Sequence, residues 1–290
     1  MNIPVKTLKS GFSMPVFGFG TWQMGGRHER DPQNDDQADI AAIKAAIEAG
    51  ITHIDTAESY SAGHAEELVA QAIKGYDRSK LFIVSKAHQE HLRHDDLLVA
   101  CENSLKRLQI DYLDLYLLHA PSLQVPIKET MAAMDKLKAD GRIKNIGISN
   151  FSIKRTKEAV TATQNQIVAN QLHLNLMYRE PERDGLVEYC QQNDMLFIAW
   201  RPVQKGALTQ PGHYPILDEM CAKYQKTPSQ IAINWLISQE NIITLAKSTN
   251  LEHLEENLGA LGWQMDKNDM ERLDKEFPDQ KDISDAVPLL

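Results

Sequence analysis

Short apolar runs alternate along this chain with segments whose apolar residues recur every three or four positions. The runs 16–20, 53–56, 81–86, 113–119, 143–149, 168–171, 196–200 and 242–246 have the length of strands. Leu-Asp-Leu-Tyr-Leu-Leu at 113–118 and Leu-Phe-Ile-Ala-Trp at 196–200 are apolar on both faces, as in a parallel sheet covered by helices. Between the runs, the spacing predicts helices near 36–49, 64–74, 95–108, 127–139, 152–163, 183–193, 215–223 and 228–238. In the first of these, apolar residues fall at 40, 43, 46, 47 and 49, and Gly50 sits where a helix-ending glycine belongs. Ahead of the alternation, 5–8 and 13–16 flank Lys9-Ser-Gly-Phe12, a pattern for two short strands around a turn.

Eight strands, most followed by a helix, suit a closed (β/α)8 TIM barrel with an N-terminal β-hairpin, occupying 1–290 as one domain. An open doubly wound sheet fits less well. Its first strand would lead into Gly-x-Gly-x-x-Gly, and Gly18-Phe-Gly20-Thr-Trp does not complete that pattern before a helix. The irregular stretches 24–35, 202–215 and the tail after Phe277 are expected to lie over the barrel mouth.

Composition narrows the partners. The net charge of −9 over 290 residues argues against nucleic acid and against anionic membrane surfaces. No apolar run approaches the roughly 18 residues of a membrane span, and Pro4, Lys6, Lys9 and Gly11 interrupt any signal-peptide core. Cys101, Cys190 and Cys221 are odd in number and widely spaced, as expected of reduced cysteines in a cytoplasmic protein. No coiled-coil or edge pattern stands out, so a monomer or a weak homo-oligomer is expected.

The chemistry concentrates at the ends of the early strands. Asp55 and Tyr60 lie in Ile-Asp-Thr-Ala-Glu-Ser-Tyr at 54–60, Lys86 closes the third barrel run, and His119 closes the fourth. In a barrel these ends meet at one mouth. A phenol has a pKa of about 10, and a nearby ammonium stabilises phenolate and should lower it. Asp55 is suited to hold Lys86 charged and oriented. Such a set forms a proton-donating device appropriate to carbonyl reduction. Taken singly, Asp55 also reads as a helix cap, Tyr60 as a loop aromatic, Lys86 as a solvated strand end and His119 as a core histidine.

The chain resembles the aldo-keto reductases from about Val5 to Leu258. The resemblance rests on Gly-Phe-Gly-Thr-Trp at 18–22, the 54–60 motif, Ser-Lys at 85–86 and Leu-Leu-His-Ala-Pro at 117–121. It continues through Ile-Gly-Ile-Ser-Asn-Phe at 146–151, Asn-Gln at 170–171, Ala-Lys-Ser at 246–248 and Glu-Asn at 256–257. It implies reduction of aldehydes or ketones with NADPH, NAD being an alternative cofactor. Asp55, Tyr60, Lys86 and His119 would form the catalytic tetrad, with Tyr60 as general acid and His119 orienting the carbonyl. Trp22, Tyr60, His119 and Trp200 would make an aromatic, mostly uncharged pocket for a small neutral carbonyl.

The resemblance also implies a cofactor site. Ser149, Asn150 and Gln171 would hold the carboxamide, Trp200 would stack on the nicotinamide, and Gly206 and Leu208 would lie in the loop crossing the pyrophosphate. Thr21, Trp22, Asp55, Glu256 and Asn257 would complete the contacts. Lys247 and Ser248, before a helix, would take the adenosine phosphate. His253 departs from the family, which commonly places an arginine there, and imidazole is the weaker phosphate partner.

His88, His91 and His94 recur every third residue without a carboxylate or cysteine arrangement to make a metal site, so no metal is expected. Two other readings fit parts of the pattern. A barrel could hold a nicotinamide nucleotide to regulate a partner with little turnover, or use Lys86 for Schiff-base chemistry.

Overall fold

The computed structural model describes residues 2–278 together with 281, 284, 286, 287 and 289. Two short antiparallel strands open the chain, β1 (Val5–Thr7) and β2 (Ser13–Pro15), paired from Val5–Pro15 to Thr7–Ser13. Eight further strands follow: β3 (Phe17–Gly20), β4 (His53–Asp55), β5 (Phe82–Ala87), β6 (Leu115–Leu118), β7 (Ile146–Ser149), β8 (Ile167–His173), β9 (Leu196–Trp200) and β10 (Ile242–Ala246). They run parallel and close into a barrel in chain order, β10 pairing with both β9 and β3. The (β/α)8 barrel and hairpin read from the sequence are therefore the observed architecture.

The helices in chain order are α1 (Asp36–Glu48), α2 (His64–Ile73), α3 (His94–Leu108), α4 (Ile127–Ala139), α5 (Ile153–Thr161) and α6 (Glu180–Arg183). After these come α7 (Leu186–Gln192), α8 (Pro215–Tyr224), α9 (Pro228–Ser238), α10 (Leu251–Leu258) and α11 (Lys267–Glu276). Their ends follow local chemistry. Asp35 accepts the amide hydrogen of Ala38 at 3.0 Å to start α1, and Gly50, at φ 101°, releases the chain after it. Pro228 opens α9 behind a reciprocal Thr227–Gln230 capping box.

The helix expected over 183–193 begins later, as α7, and only its first expected residue, Arg183, falls in the short α6. Gly185 at φ 75° takes the left-handed conformation that ends α6, and α7 starts beyond it. α11 was not anticipated, because its apolar anchoring is slight. Leu273 is buried, but buried Asp269 is held by polar contacts, accepting from Lys223 and Tyr224.

The barrel interior is layered along each strand, since residues two apart share a face. His53 and Phe82 lie at the base, their rings edge to face at 6.0 Å, and Phe12 of the hairpin turn meets Phe82 at 6.1 Å. Leu8 and Met14 join the same continuous core, so the hairpin closes the base. Further along the same strands, two residues after His53 and four after Phe82, Asp55 and Lys86 face the mouth. Among the described residues, no helix is long and apolar enough to cross a membrane.

Candidate active site

At the mouth, a lysine buried to 0% exposure meets an aspartate at 3%. Lys86 Nζ donates to Asp55 Oδ1 at 2.5 Å, to the Thr56 carbonyl at 2.9 Å and to Tyr60 Oη at 3.1 Å. An ammonium has three N–H groups, and these contacts use all three. Tyr60 Oη therefore accepts from Lys86 and keeps its own O–H free to donate elsewhere. Gln171 Nε2 reaches the second oxygen of Asp55 at 2.8 Å, so both carboxylate oxygens are engaged.

The local backbone explains why Tyr60 reaches back. Beyond β4 the chain enters the tight turn Tyr60–Gly63, where Ser61 and Ala62 stand at φ 53° and 54° and Gly63 at φ 92°. Left-handed conformations are costly for residues bearing a Cβ. The turn is held by Ser61, whose hydroxyl donates to the Met24 carbonyl at 2.6 Å and whose amide donates to the Arg27 carbonyl at 3.1 Å. The loop 24–35 is thus fastened beside the phenol. Trp22 packs edge-on to Tyr60 at 4.9 Å, and His119 meets the Tyr60 ring edge to face at 5.6 Å.

Electrostatics define the resting protonation state. Burial raises the Tyr60 phenol above its ordinary value, and the Lys86 ammonium opposes this without reversing it. The lowered phenol anticipated from the sequence is corrected: burial outweighs the neighbouring charge, so the proton rests on the oxygen. For Lys86, burial pulls downward, but Asp55 and Tyr60 hold the ammonium above the ordinary lysine value. Burial and then the Lys86 charge push His119 well below the usual histidine range, leaving a neutral imidazole.

His119 is fixed through its backbone. Its amide donates to the Ala87 carbonyl at 2.9 Å, and its carbonyl accepts from Asn150 Nδ2 at 2.9 Å. Asn150, at φ 59°, turns the chain out of β7 in a conformation asparagine tolerates. It also donates to Ser149 Oγ at 3.0 Å, and Ser149 donates to the Gln171 carbonyl at 2.8 Å. Ser149, Asn150 and Gln171 are all buried, and the side-chain oxygens of Asn150 and Gln171 accept no hydrogen bond among the described residues. Thr21 closes the ring from β3, donating through Oγ1 to the Asp55 carbonyl at 3.1 Å.

Trp200 ends β9 half-buried, with the His173 ring stacked on it at 4.4 Å and 11°. His173 is stacked in turn on Tyr178 at 4.2 Å. The Arg201 guanidinium lies 5.1 Å from the Trp200 centroid. His173 was not singled out in the sequence, although its place two residues after Gln171 on one strand puts both on the same face. Gly206 turns the following loop at φ 94°, and the Leu208 side chain is wholly in the core, so only its backbone is available to a ligand there.

The residues after β10 form a separate cluster. Lys247 is pulled below the ordinary lysine value by burial, with the Asp39 carboxylate pulling back. Ser248 spends its hydroxyl on the Asn250 carbonyl at 2.6 Å, and Asn250 caps α10 through the Glu252 amide at 2.8 Å. His253 is exposed in the first turn of α10, Glu256 is half-buried and Asn257 is buried. No hydrogen bond among the described residues joins this cluster to the Tyr60 group. Of the histidine series, His91 pairs with Glu58 at 3.0 Å and His94 with its neighbour Asp95 at 2.7 Å. No grouping of three potential metal ligands occurs among the described residues.

A sequence profile described as the Aldo/keto reductase family matches residues 16–276. The chain belongs to the aldo/keto reductase family. It is 35% identical over 272 residues to methylglyoxal reductase YeaE of Escherichia coli (strain K12), covering 93% of each chain. It is 32% identical over 276 residues to glyoxal reductase of Bacillus subtilis (strain 168), covering 94% of this chain and 93% of the relative. Among solved structures, a thermostable aldo-keto reductase, Tm1743, bound to the inhibitor epalrestat, superposes with a TM-score of 0.90 at 41% identity, covering 94% of this chain and 99% of that one. An aldo-keto reductase from Klebsiella pneumoniae in complex with NADPH gives 0.84 at 34% identity, covering 97% and 98%. This aldo-keto reductase is accordingly an enzyme of the oxidoreductase class.

Proposed function

We propose that this aldo-keto reductase reduces small aldehydes and ketones with NADPH, α-oxoaldehydes among them, and that Tyr60 is the general acid. One observation carries the reading. All three N–H groups of Lys86 are spent, one on Tyr60 Oη, which leaves the phenol proton to be given outward. The proposed substrate size and class are supported by the uncharged aromatic wall of Trp22, Tyr60 and His119, and by the two relatives named for methylglyoxal and glyoxal.

The residues fit a nicotinamide cofactor. The buried amides of Asn150 and Gln171 have oxygens available to an N–H donor such as a carboxamide, with Ser149 beside them. Trp200 offers a flat ring backed by His173, and a nicotinamide stacked there would share that ring with Arg201. Lys247, with Ser248 and the start of α10, would meet the adenosine phosphate. The bound cofactor supplies hydride to the carbonyl carbon.

The chain's own groups manage the charge that reduction puts on the carbonyl oxygen. Tyr60 gives that oxygen its proton, a contribution made chiefly in the transition state. Lys86 stabilises the phenolate left behind, and Asp55 keeps Lys86 in place. The neutral His119 orients the carbonyl. Burial pushes the thiols of the free cysteines Cys101 and Cys190 up to about 12, which keeps them as inert, protonated core residues.

The test is a panel of carbonyls with NADPH, followed by loss of reduced-nicotinamide absorbance. Tyr60→Phe should lower kcat by roughly 10²–10⁴-fold while NADPH affinity stays within about twofold. Turnover like that of the unaltered enzyme would refute Tyr60 as the acid.

A further inference from the structure

Ser59, the residue immediately before Tyr60, places its hydroxyl oxygen 3.2 Å from Nδ1 of His119. It stands at the head of the Tyr60–Gly63 turn with φ −82° and ψ −8°, an unstrained backbone. His119 itself is held at its amide and its carbonyl by β5 and Asn150, which fixes the backbone from which the ring projects towards Ser59. What remains open is which ring nitrogen bears hydrogen.

A neutral imidazole has one N–H and one lone pair. Burial and the Lys86 charge keep His119 neutral, so the choice is between two tautomers. Among the described residues Ser59 alone hydrogen-bonds the ring, and Nε2 has no protein partner. If Ser59 donates to Nδ1, the hydrogen lies on Nε2. If Nδ1 donates to Ser59, Nε2 presents a lone pair instead.

The two arrangements differ sharply towards a carbonyl oxygen, which has two lone pairs and can only accept. In the first, Tyr60 O–H and His119 Nε2–H occupy one lone pair each. In the second, the imidazole lone pair opposes the oxygen, and repulsion replaces a hydrogen bond. We propose that Ser59 is a positioning residue whose hydroxyl donates to Nδ1 of His119 and so keeps the imidazole proton on Nε2, facing the carbonyl that Tyr60 protonates. This assignment rests on the reading of the site as a carbonyl reductase. Because Ser59 and Tyr60 are adjacent in one turn, both donors to the oxygen are set by the same piece of backbone.

The experiment is ¹⁵N NMR of histidine-labelled enzyme in its complex with NADP, beside kinetics on a small aldehyde. The unaltered protein should show a pyrrole-type Nε2 and a pyridine-type Nδ1 for His119. Ser59→Ala should move both signals towards the averaged values of mixed tautomers. It should also lower kcat/KM about tenfold, the worth of one neutral hydrogen bond, with NADPH affinity and melting temperature unchanged. Ser59→Thr, which keeps the hydroxyl, should restore both signals and rate. A pyridine-type Nε2 in the unaltered enzyme, or Ser59→Ala retaining its tautomer and its rate, overturns the proposal. The NMR signature is read without turnover, whereas Tyr60→Phe tests the carbonyl-reductase reading itself, so the two failures are distinguishable.

Discussion

His53 and Asp55 lie two residues apart on β4, both buried, yet the protein treats them in opposite ways. At the base of the barrel, neither nitrogen of His53 has a hydrogen-bond partner among the described residues, and burial lowers its pKa to about 4. The ring is packed so closely that a Cβ added to Gly18 would stand 2.2 Å from its Nδ1. At the mouth, Asp55 has a partner on each oxygen, Lys86 at 2.5 Å and Gln171 at 2.8 Å. A buried ionisable group can escape the cost of desolvation by discharging or by pairing. The base adopts the first solution. The mouth adopts the second, because a standing ammonium beside a phenol is what the proposed chemistry needs.

The largest effects come from breaking the pairing. Lys86→Met strands the Asp55 carboxylate in the interior, and loss of one partner of a buried pair costs about 3–5 kcal/mol. Asp55→Asn combined with Lys86→Met removes both charges and should recover much of that stability. Neither protein should regain carbonyl reduction. Denaturant midpoints and kcat for the single and double variants give the comparison. A double variant no more stable than Lys86→Met would mean that the pair is not what makes the single change costly.

The base is probed by acid. Unfolded His53 takes up a proton below about 6.5, whereas the folded protein resists until about 4. Between those values the unfolded state binds more protons, so stability from this group falls as pH drops from 6.5 to 4 and is level above 6.5. At about 1.4 kcal/mol per unit, the full loss is about 3 kcal/mol. His53→Leu should flatten this part of the pH–stability curve, read by denaturant midpoints across that range. An acid limb of equal steepness in the variant would place the titration elsewhere.

The barrel was legible because most of its strands are apolar on both faces, a pattern with few alternatives when helices alternate with it. Most strand ends agree within about two residues. The failures have particular causes. Asp184-Gly185 sits at the start of an apolar spacing that reads as a helix from 183, and the glycine's left-handed φ delays that helix to Leu186. α11 carries its anchor in polar contacts such as Asp274 accepting from Trp235 Nε1 at 2.9 Å, which hydrophobic spacing does not register. At the candidate site the four side chains could be named, but the direction of the Tyr60 shift could not, since it depends on how burial compares with one ammonium. Ser59 was silent for a similar reason. A serine in a turn has no signature until the strand carrying His119 comes beside it.

The smallest effects concern the second charged region of the mouth, where pairing is incomplete. Lys247 is pulled down by burial and has the Asp39 carboxylate nearby, but its role is proposed towards a phosphate that the Tyr60 group never meets. A charge-assisted hydrogen bond is worth about 1.5–3 kcal/mol, so Lys247→Met should reduce the preference for NADPH over NADH by roughly ten- to a hundred-fold. His253 is exposed in the first turn of α10, where a guanidinium would have solvent to compete with. His253→Arg should therefore raise the preference only about two- to fivefold, as expected of a surface charge worth up to about 1 kcal/mol. The ratio of kcat/KM for the two cofactors, measured at fixed ionic strength in the three proteins, orders these effects. If Lys247→Met leaves that ratio unchanged while His253→Arg moves it, the phosphate is read by α10 rather than by the end of β10.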